Sequence, residues 1–585
     1  MARDTEGQLS FDPALIPARS ELANRVPTRM EAASITASAV GRQKALGAFY
    51  TPLAMAEKMV AWAVREPTDT ALDPSFGGLV FLQAAHARLL ELGLDPVAAG
   101  ARLYGCDLDE GAHASAVTQS GLHVREDALL HRDFFAAVPG TDVPLVNAVI
   151  GNPPYVRYQL HNAAGAGGRR IAEAAGLNLT RLASSWAPFL LHSADCVAPG
   201  GRLALVLPAE LMHAQYAGDV MSWVQRRFAR SALVVFEQRV FPGALEEVVL
   251  LFAEGRGEGQ SDSVGLLACD SLADLDLDVL RAQLSNPRTR SPRGGKLLAQ
   301  LLHSDARDLY DGLADDARVS SLGVIASVDI GAVTGANDFF LLREGQEPDL
   351  APELLRPAVS KAVQISGARF TSSDFDRLRE QQARCLFFVT DKRTPQSLLD
   401  TAQAHLRRGE ADGIPERYKC RVRKPWHAVP LPKHGTPDLF LTYCAAEFPR
   451  ISVNEAGALH TNTLHGVTLR EAAGVDAPAL AFAFYNSLTL LSAELVGRSY
   501  GGGVLKLEPT EAEALLIPSV LPFGPAELSR VDGLVRARKL EEVLDLVDGL
   551  VLVEGLGLSW QEVATLRAGG ERLRSRRRAR NKPPS

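Results

Sequence analysis

Residues 146–155 have the sequence VNAVIGNPPY, in which a short apolar run ends at two consecutive prolines. An apolar run of this length predicts a buried strand of a parallel sheet. Pro153 and Pro154 have no N–H donor, so they cannot continue a strand ladder and must end it. The side chains of Asn152 and Tyr155 should therefore lie at the carboxyl end of a strand, where open α/β sheets bind their ligands.

This turn offers two hydrogen-bond acceptors and one aromatic ring. The side-chain oxygen of Asn152 and the carbonyl of Pro153 can both accept from a planar exocyclic amine. Tyr155 presents a π face to the ring that carries such an amine. An ordinary strand-to-loop turn is the alternative. The string Asn-Pro-Pro-Tyr behind an apolar strand is much rarer than a generic turn, which favours a binding site.

Asn152-Pro153-Pro154-Tyr155 resembles the catalytic motif of amino-group methyltransferases that use S-adenosylmethionine. The closest match is with the adenine-N6 DNA methyltransferases of restriction–modification systems. The resemblance implies that Asn152, Pro153 and Tyr155 are catalytic, and that Tyr155 also stacks on the target base. It further implies S-adenosylmethionine as the cofactor and double-stranded DNA as the substrate.

The composition is that of an ordinary globular protein. The chain has 585 residues, 46% hydrophobic and 22% charged, so two or more domains are expected. Its formal net charge is -7, so a nucleic-acid-binding surface must be local, in a cleft. The six cysteines form no CxxC pair, so neither a metal site nor a disulfide framework is expected. Because a long apolar run and a signal-peptide pattern are both missing, we expect a cytoplasmic protein without a membrane partner.

A helix signal precedes the first expected strand. Residues 1–40 form an expected N-terminal arm, and the sequence GAFYTP follows at 47–52. Thr51 and Pro52 predict the N-cap and the first position of a helix over about 53–65. A capped surface helix is the alternative interpretation. GAFYTP resembles the first cofactor-binding motif of the methylase family, which implies that Thr51 contacts S-adenosylmethionine.

A glycine-rich turn follows the first strand. Residues 71–82, ALDPSFGGLVFL, predict a strand, a turn that a ligand can approach closely, and a helix start. The stretch resembles the family pattern Asp-Pro-Ala-Cys-Gly-Ser-Gly-x-Phe-Leu, which implies that Asp73, Ser75 and Gly77 bind the cofactor. Leu79 stands where the second motif glycine is expected, and it makes the turn bulkier.

Two further acidic residues suit the nucleoside part of the cofactor. Residues 103–109 predict the second strand, and Asp107 at its end can accept from ribose hydroxyls, with Leu108 beside it in the same site. The spacing of about 30 residues from the first motif aspartate favours this role over that of a helix cap. Asp133 could accept from the adenine amine, and Phe134 could stack on that ring. A surface loop with core phenylalanines is the alternative.

Alternating strands and helices over 41–255 predict a methyltransferase domain with a doubly wound, mostly parallel, Rossmann-like sheet. A helix over 186–197 is expected to end at a diglycine. Arg169 and Arg170 lie in an expected loop, where they could meet phosphate or stay solvated. Phe241 matches the family's Val-Phe-Pro position, which implies a second aromatic contact to a flipped base. A core phenylalanine is the alternative.

Basic segments distinguish the second half of the chain. Residues 256–319 are expected to be a linker, 320–570 an α+β target-recognition domain, and 571–585 a disordered basic tail that attracts DNA or is simply solvated. Lysine and arginine interleaved with tyrosine and tryptophan suit contact with phosphates and bases, with a basic edge strand as the alternative. The DNA-binding residues expected there are Arg421, Arg423, Lys424 and Arg498.

The motif order, cofactor first, Asn-Pro-Pro-Tyr next and recognition region last, resembles the gamma subgroup of adenine-N6 methylases. The resemblance implies a monomeric, site-specific enzyme that methylates N6 of a flipped adenine and is paired with a separate restriction endonuclease of a type II system. Three alternatives stay open: a methyltransferase acting on RNA or on a protein glutamine, a combined restriction and methylation enzyme, and a DNA-binding protein that has lost its cofactor. Chain length argues against the first, the sequence shows no clear nuclease pattern for the second, and Leu79 alone points to the third.

Overall fold

The computed structural model describes residues 51–118, 121–155, 164–179, 184–238, 240, 248–286, 297–500, 503–519 and 525–579. The expected arm at 1–40 and the expected stacking residue Phe241 lie outside the described residues. Within the described part of the chain, no single helix is long and apolar enough to cross a membrane. The helices Ala477–Phe484 and Ser487–Val496 meet that criterion only as a pair, across a bend of 79°.

An eight-stranded sheet forms the first half of the molecule. Its strands are β1 (Ala71–Asp73), β2 (Leu103–Asp107), β3 (Leu129–His131), β4 (Val146–Gly151), β5 (Val197–Pro208), β6 (Phe228–Phe236), β7 (Val248–Arg256) and β8 (Gly265–Cys269). Their spatial order is β3-β2-β1-β4-β5-β7-β6-β8. Only β7 runs antiparallel to its neighbours β5 and β6. The expected mostly parallel α/β sheet is confirmed.

Helices cover both faces of this sheet. They are α1 (Leu53–Ala63), α2 (Val80–Glu91), α3 (Pro96–Gly100), α4 (Glu110–Thr118), α5 (Ala164–Ala174), α6 (Trp186–Asp195), α7 (Glu210–His213), α8 (Gln215–Gln225) and α9 (Leu277–Ser285). Side chains of β5 alternate between two clusters: Leu203 and Leu205 pack with α6 and α8, whereas Ala204 and Val206 pack with α1 and α2. This period of two is the signature of a strand buried on both faces.

The diglycine does not end helix α6. The helix stops at Asp195 and β5 begins at Val197, so Gly200 and Gly201 lie inside the strand. Pairing with β4 skips from Val197 to Arg202. Gly200 has a φ of 73°, and a Cβ on Gly201 would lie 2.7 Å from the Val197 Cγ1 atom. The glycines therefore form a bulge in β5, and the expected helix end was placed too late.

The segment expected to be a linker is largely regular structure. Strand β8 pairs in parallel with β6, and helix α9 packs against both strands. Helix α10 (Ser304–Ala314) and strand β9 (Val319–Ser321) follow. The sheet unit thus extends beyond the expected boundary at 255, because a Gly- and Ser-rich composition there marks the turn between β7 and β8 rather than a linker.

The second half combines small sheets with short helices, as the α+β expectation requires. The remaining strands are β10 (Ala326–Ile330), β11 (Leu341–Leu342), β12 (Leu355–Val359), β13 (Arg369–Phe370), β14 (Leu386–Phe388), β15 (Leu439–Thr442), β16 (Cys444–Ala445), β17 (Ile451–Asn454), β18 (Leu459–His460), β19 (Leu464–Leu469), β20 (Arg498–Tyr500), β21 (Val504–Lys506) and β22 (Leu516–Pro518). They form sheets of order β10-β19-β15-β17-β13, β11-β14-β12-β18, β16-β21-β20 and β22-β9. We call β16-β21-β20 the three-stranded sheet.

The helices of this half are α11 (Leu322–Ile325), α12 (Asn337–Phe340), α13 (Ser372–Glu380), α14 (Gln396–Thr401), α15 (Gln403–Ala411), α16 (Tyr418–Arg421), α17 (Ala477–Phe484), α18 (Ser487–Val496), α19 (Pro509–Glu513), α20 (Pro525–Arg536), α21 (Leu540–Val547) and α22 (Trp560–Ala579). A π-helical segment, Asp548–Gly555, follows α21. One continuous apolar cluster runs from α6 and α8 of the first half to α17 and α18 of the second. The two halves therefore pack as one body.

The expected basic tail is the end of a long helix. Helix α22 continues to Ala579, and its residues Arg576 and Arg577 are only 5% and 3% exposed. Both form ion pairs with glutamates far away in the sequence. The prediction of a disordered tail is therefore wrong for 571–579. A run of arginines resembles a solvated arm when the carboxylates that neutralise it are distant in the chain.

Five of the six cysteines are buried, and none forms a disulfide. Cys444, in β16, is the exposed one. Its neighbours across the three-stranded sheet are Lys506 and then Arg498, in register.

Candidate active site at the carboxyl edge of the sheet

The Asn-Pro-Pro-Tyr turn begins where β4 leaves the sheet between β1 and β5. A Cβ on Gly151, the last residue of β4, would lie 3.0 Å from the Asp73 Oδ1 atom and 3.0 Å from the Pro74 Cδ atom. Glycine therefore lets the ends of β1 and β4 approach closely. The Ser75 hydroxyl crosses the same gap and donates to the Asn152 carbonyl at 3.3 Å. The expected catalytic and cofactor motifs thus share one edge of the sheet.

The side-chain amide of Asn152 is held at both ends. Its Nδ2 atom donates to the Thr51 hydroxyl at 3.1 Å, and its Oδ1 atom accepts from the Tyr155 hydroxyl at 2.7 Å. In this arrangement the amide nitrogen faces Thr51 and the amide oxygen faces Tyr155. Each partner is a hydroxyl, which can donate or accept, so the two bonds restrain the position of the amide.

The Tyr155 hydroxyl has a second acceptor within reach. The carbonyl of Val206, in β5, lies 3.0 Å from it. A phenolic hydroxyl has only one proton, so it can donate to Asn152 or to Val206 at any moment. The hydroxyl can therefore turn and donate to the Val206 carbonyl while the tyrosine ring stays in place.

Ser185 holds the other end of the turn, a contact that the sequence did not predict. Its hydroxyl donates to the Pro154 carbonyl at 2.5 Å. The next residue, Trp186, stacks on Tyr216 with ring centroids 5.5 Å apart. Tyr216 in turn donates to Glu210 at 3.1 Å. No local sequence signal marks Ser185, because its partner lies 31 residues away in the chain.

Thr51 acts differently from the N-cap that its sequence context predicts. Helix α1 begins at Leu53 with Pro52 in the N-cap position, and no side chain caps it. The Pro52 carbonyl accepts the first helical bonds, from Met55 and Ala56. The Thr51 hydroxyl is therefore available to Asn152. The helix prediction is confirmed and the capping role is wrong.

The glycine-rich turn and the end of β2 meet through Asp107. Its Oδ2 atom accepts from the Gly77 backbone N–H at 2.8 Å, and its Oδ1 atom accepts from the Asp109 N–H at 2.8 Å. Gly77 has a φ of 41°, and an added Cβ would meet only the Ser75 carbonyl, at 3.9 Å. The turn is thus open above its backbone, with a fixed carboxylate beside it.

Asp73 is buried between the two motifs. Its Oδ1 atom accepts from the Ser75 N–H at 3.0 Å, and its Oδ2 atom has no hydrogen-bond partner among the described residues. Burial raises the pKa of Asp73 to about 8, the Ser75 hydrogen bond opposes this, and the charge of Asp107 adds to it. The Asp73 carboxyl is therefore neutral at moderately acid pH.

Leu79 adopts the left-handed backbone conformation typical of glycine, and its side chain does not enter the expected cofactor site. It has a φ of 66°, in the left-handed region, and its side chain is only 1% exposed within the cluster around α1 and α2. The left-handed conformation costs roughly 1–2 kcal/mol for a non-glycine residue. Burying a leucine side chain contributes about 1.5–3 kcal/mol, which offsets this cost. The bulk that the sequence suggested points into the core.

The residues expected to contact the nucleoside differ in how far they are exposed. Leu108 is 63% exposed and lies directly beyond Asp107, as a surface for a ring would. Asp133 begins a short 3-10 helix and accepts from the Phe135 N–H at 3.1 Å. The ring of Phe134 is buried, and it stacks on Phe189 at 5.5 Å. The core-phenylalanine alternative describes this ring, so any cofactor contact of Phe134 is limited to its backbone.

Arg169 and Arg170 lie in helix α5, not in the expected loop. Both are exposed. Arg170 donates to the Phe135 carbonyl at 3.1 Å, which ties the helix to the segment after β3. Gly167 in the same helix packs against the Phe135 side chain, where an added Cβ would lie 3.0 Å from its Cβ atom. Arg169 is the more accessible of the two for phosphate.

The basic residues around helix α16 also differ in exposure and in hydrogen bonding. Arg421 and Lys424 are exposed. Arg423 instead donates to the carbonyls of Val333 and Thr334, at 2.8 Å for the latter, and burial lowers the pKa of its guanidinium. Arg423 therefore holds the chain near β10, and its expected contact with DNA stays a prediction.

Arg498 lies in the three-stranded sheet and pairs with the buried Glu511 at 2.5 Å. Burial lowers the pKa of Arg498, but the Glu511 hydrogen bond and the charges of Glu511, Glu508 and Glu210 raise it overall. Glu210 begins helix α7, directly after β5. The three-stranded sheet therefore lies close to the edge of the large sheet that carries the Asn152 turn.

Comparison with known families agrees with this geometry. Residues 34–264 match the family described as N-6 DNA methylase, and that range contains both the Asn152 turn and the glycine-rich turn. This part of the chain is therefore similar to the N-6 DNA methylase family. Residues 294–552 match the C-terminal domain of the type II methyltransferase M.Eco57I. The methylase domain is thus followed by a region of a kind already known from such an enzyme.

Two curated relatives align with most of the chain. The type II methyltransferase M.XamI of Xanthomonas campestris pv. amaranthicola is 28% identical over 504 residues, which cover 81% of this chain and 85% of that protein. The type II methyltransferase M.AccI of Acinetobacter calcoaceticus is 20% identical over 479 residues, which cover 80% and 84%. The similarity therefore includes both halves.

A solved structure has the same overall fold. The type IIL restriction-modification enzyme MmeI, solved in complex with DNA, superposes with a TM-score of 0.52 at 11% identity, over 88% of this chain and 75% of that chain. At this identity the likeness is one of fold. It extends over the methylase domain and the region that follows.

Proposed function

We propose that this chain is a site-specific DNA methyltransferase that methylates adenine at N6 and protects DNA from a separate restriction endonuclease. The enzyme class follows from the N-6 DNA methylase match and from the type II methyltransferase relatives. The observation that carries the chemistry is the amide of Asn152, held in one orientation at the edge of the sheet.

Adenine N6 is a poor nucleophile because its lone pair is delocalised into the ring. Two acceptors, Asn152 Oδ1 and the Pro153 carbonyl, would accept from the two amine hydrogens and localise that lone pair. No covalent nucleophile is needed for this reaction. The protein instead contributes acceptors that act most strongly as the amine reacts, which lowers the barrier of the chemical step.

The resting contacts of Asn152 are compatible with this role. Its Oδ1 atom accepts from Tyr155, but that hydroxyl can turn to the Val206 carbonyl, 3.0 Å away. An amide oxygen has two lone pairs, so it can accept from more than one donor at a time. The Thr51 contact on the nitrogen side would restrain the amide while its oxygen accepts from the substrate amine.

S-adenosylmethionine suits the open part of the same edge. The Asp107 carboxylate is fixed by two backbone N–H groups and keeps lone pairs for the ribose hydroxyls. Leu108 offers an apolar surface for the adenine ring, and Asp133 an acceptor for its amine. Thr51 and Ser75 would contact the other end of the cofactor. When bound, this cofactor supplies an electrophilic methyl group on a positively charged sulfur.

The target adenine must leave the duplex to reach Asn152, which costs a few kcal/mol of unstacking. Tyr155 is half-buried at the edge and would stack on the extruded base, contributing about 1–3 kcal/mol. Phe241 is proposed as a second aromatic contact on the basis of its family position. Stacking on these two rings would offset part of the free-energy cost of base flipping.

DNA would bind along the face that joins the Asn152 edge to the three-stranded sheet. Arg498 lies near Glu210 at that edge, and Arg169, Arg421 and Lys424 are exposed cations that can neutralise phosphates. The overall charge of -7 makes such a local surface necessary. The motif order supports placement in the gamma subgroup, and the presence of both halves in one chain supports action as a monomer in the cytoplasm.

Methylated-base sequencing tests the proposal directly. Cells without adenine methylation would express the chain, and sequencing of their DNA should report N6-methyladenine at one short motif. Asn152→Ala, expressed at the same level, should leave that motif unmodified. Methylation of cytosine instead of adenine, or no methylation in DNA from cells that express the wild-type chain, would overturn the proposal. Methyl transfer to RNA or to a protein glutamine instead would favour the alternative substrates.

Calorimetry tests the cofactor site separately. Asp107→Ala should weaken S-adenosylmethionine binding more than it slows transfer at saturating cofactor, because the carboxylate is expected to hold the ribose and not the reacting atoms. Asp95→Ala is a matched control, since Asp95 also accepts from two backbone N–H groups but caps helix α3 before β2. Wild-type affinity in Asp107→Ala would show that the ribose assignment is wrong.

A further inference from the structure

Two neighbouring arginines of helix α22 bind two different sheets. Arg576 donates to the Glu237 carboxylate at 2.6 Å and to the Phe236 carbonyl at 3.1 Å. Phe236 is the last residue of β6, which runs parallel to β4 and β5 in the large sheet. Arg576 therefore binds at the same carboxyl edge that carries the Asn152 turn.

Arg577 binds the three-stranded sheet at the ends of its strands. Its guanidinium pairs with Glu494 at 2.7 Å and 3.0 Å, and Glu494 lies in α18, just ahead of β20. It also donates to the Ala446 carbonyl, directly after β16, and to the Gly503 carbonyl, directly before β21. One side chain thus fixes all three strands, including the one that carries Arg498.

The contacts of Arg576 and Arg577 depend on pairing between opposite charges. Both arginines are almost fully buried, as is Glu494, so each buried charge depends on its partner. Side chains at i and i+1 of a helix point in different directions, so one helix can contact two sheets at once. Arg578, the next residue, is exposed. The two contacts therefore belong to Arg576 and Arg577 and not to the arginine run as a whole.

We propose that Arg576 and Arg577 are positioning residues, which set the distance between the DNA-contacting three-stranded sheet and the Asn152 edge. This inference rests on the proposed function, because it concerns how bound DNA is presented to the site. A phosphate held by Arg498 has a fixed place relative to the base pocket only if the two sheets keep a fixed separation. Helix α22 connects them without touching substrate.

The test is steady-state methyl transfer to unmethylated bacteriophage DNA, with cofactor affinity and thermal unfolding measured on the same preparations. Arg576→Met should lower kcat/KM for DNA by about tenfold or more, because small misplacements far from the chemistry have effects of that size. Its affinity for S-adenosylmethionine should stay within about twofold, as for a substitution remote from the cofactor. Arg578→Met removes the same charge from the same helix and should match the wild type in both.

Arg577→Met alone would leave the buried Glu494 with only Arg574, 4.0 Å away, as a cationic neighbour and could unfold the chain. The variant Arg577→Met with Glu494→Gln removes both charges and keeps the comparison valid. It should also lose kcat/KM for DNA at unchanged cofactor affinity. Arg576→Lys keeps the charge and one of the two contacts, so it should recover part of the loss.

Wild-type kcat/KM in both variants, with only a lower unfolding temperature, would overturn the inference and make the arginines purely structural. A parallel loss of cofactor affinity would overturn it as well, because the large sheet itself would then be disturbed. The proposed function fails in a different way, namely when the wild-type protein transfers no methyl group to DNA.

Discussion

Replacing Thr51 by valine removes one hydrogen-bond acceptor and nearly keeps the shape of the side chain. The acceptor lost is the one that faces Asn152 Nδ2 at 3.1 Å. Without it, the amide can turn over and present its nitrogen where the substrate amine needs an oxygen. We expect Thr51→Val to lower kcat measured at saturating cofactor, since the orientation of Asn152 matters in the reacting complex.

The size of the effect follows from the geometry. A neutral hydrogen bond contributes about 0.5–1.5 kcal/mol, and 1.36 kcal/mol is a factor of ten in rate, so kcat should fall about 2- to 13-fold. Tyr155→Phe removes the 2.7 Å contact on the oxygen side and should have an effect of similar size while keeping the stacking ring. If the two restraints are independent, the double variant should lose about 5- to 160-fold.

Thr70→Val is the matched control. The Thr70 hydroxyl donates to the Asn147 side chain at 2.9 Å, at the opposite end of β1 and β4. The same hydroxyl accepts from the Asn147 N–H at 3.2 Å. The substitution therefore removes two hydrogen bonds between the same pair of strands, but far from the turn. It should lower the unfolding temperature and leave kcat unchanged. The reasoning is refuted if Thr51→Val and Tyr155→Phe both turn over at the wild-type rate, because the amide would then be oriented by other contacts.

Asn152→Ala should lose methyl transfer by orders of magnitude and still bind cofactor and DNA, measured by labelled methyl transfer beside calorimetry; near wild-type turnover would make the turn merely structural. Asp73 has its pKa raised to about 8, so the folded state holds a proton that the unfolded state releases above about pH 4, and stability should fall as pH rises from about 4 to 8. Asp73→Asn should remove that slope in denaturant titrations across pH, and an unchanged slope would place the titration elsewhere. Arg421→Met should weaken DNA binding and flatten its salt dependence, whereas Arg423→Met should mainly lower the free energy of unfolding, since its guanidinium holds backbone carbonyls. Equal salt slopes in the two variants would contradict that division.

The shared edge of the cofactor and catalytic motifs was predictable from sequence. Asp73, Asp107 and Asn152 each follow a short apolar run, and parallel strands joined by helices place their carboxyl ends at one edge. The bounds of β4 agree with the run at 146–150 almost residue for residue. The family patterns then gave chemical meaning to positions that strand periodicity alone had already brought together.

The pairing of side chains was not predictable in the same way. Tyr155 and Val206 are 51 residues apart, and Arg576 and Glu237 are 339 apart. Such contacts depend on how whole layers pack, which no local window of sequence contains. The same reason explains the error over the tail, because charge composition cannot distinguish an arginine in solvent from one facing a distant glutamate.

Leu79 shows a different limit. The family pattern expects glycine at this position, and the structure shows a left-handed backbone there, with a φ of 66°. Sequence reasoning could not foresee that the side chain would turn away from the turn and into the core. A residue that departs from a family pattern can thus keep the required backbone and contribute burial at the same time.

The exposed thiol of Cys444 gives the molecule a natural attachment point for a reporter. It lies in register with Lys506 and Arg498 across the three-stranded sheet, at about 10 Å from the arginine by the ordinary strand spacing. Because the other five thiols are buried, a maleimide dye should label this position in the unaltered chain under native conditions. Its fluorescence would follow the arrival of DNA at Arg498 in real time, independently of any methyl transfer.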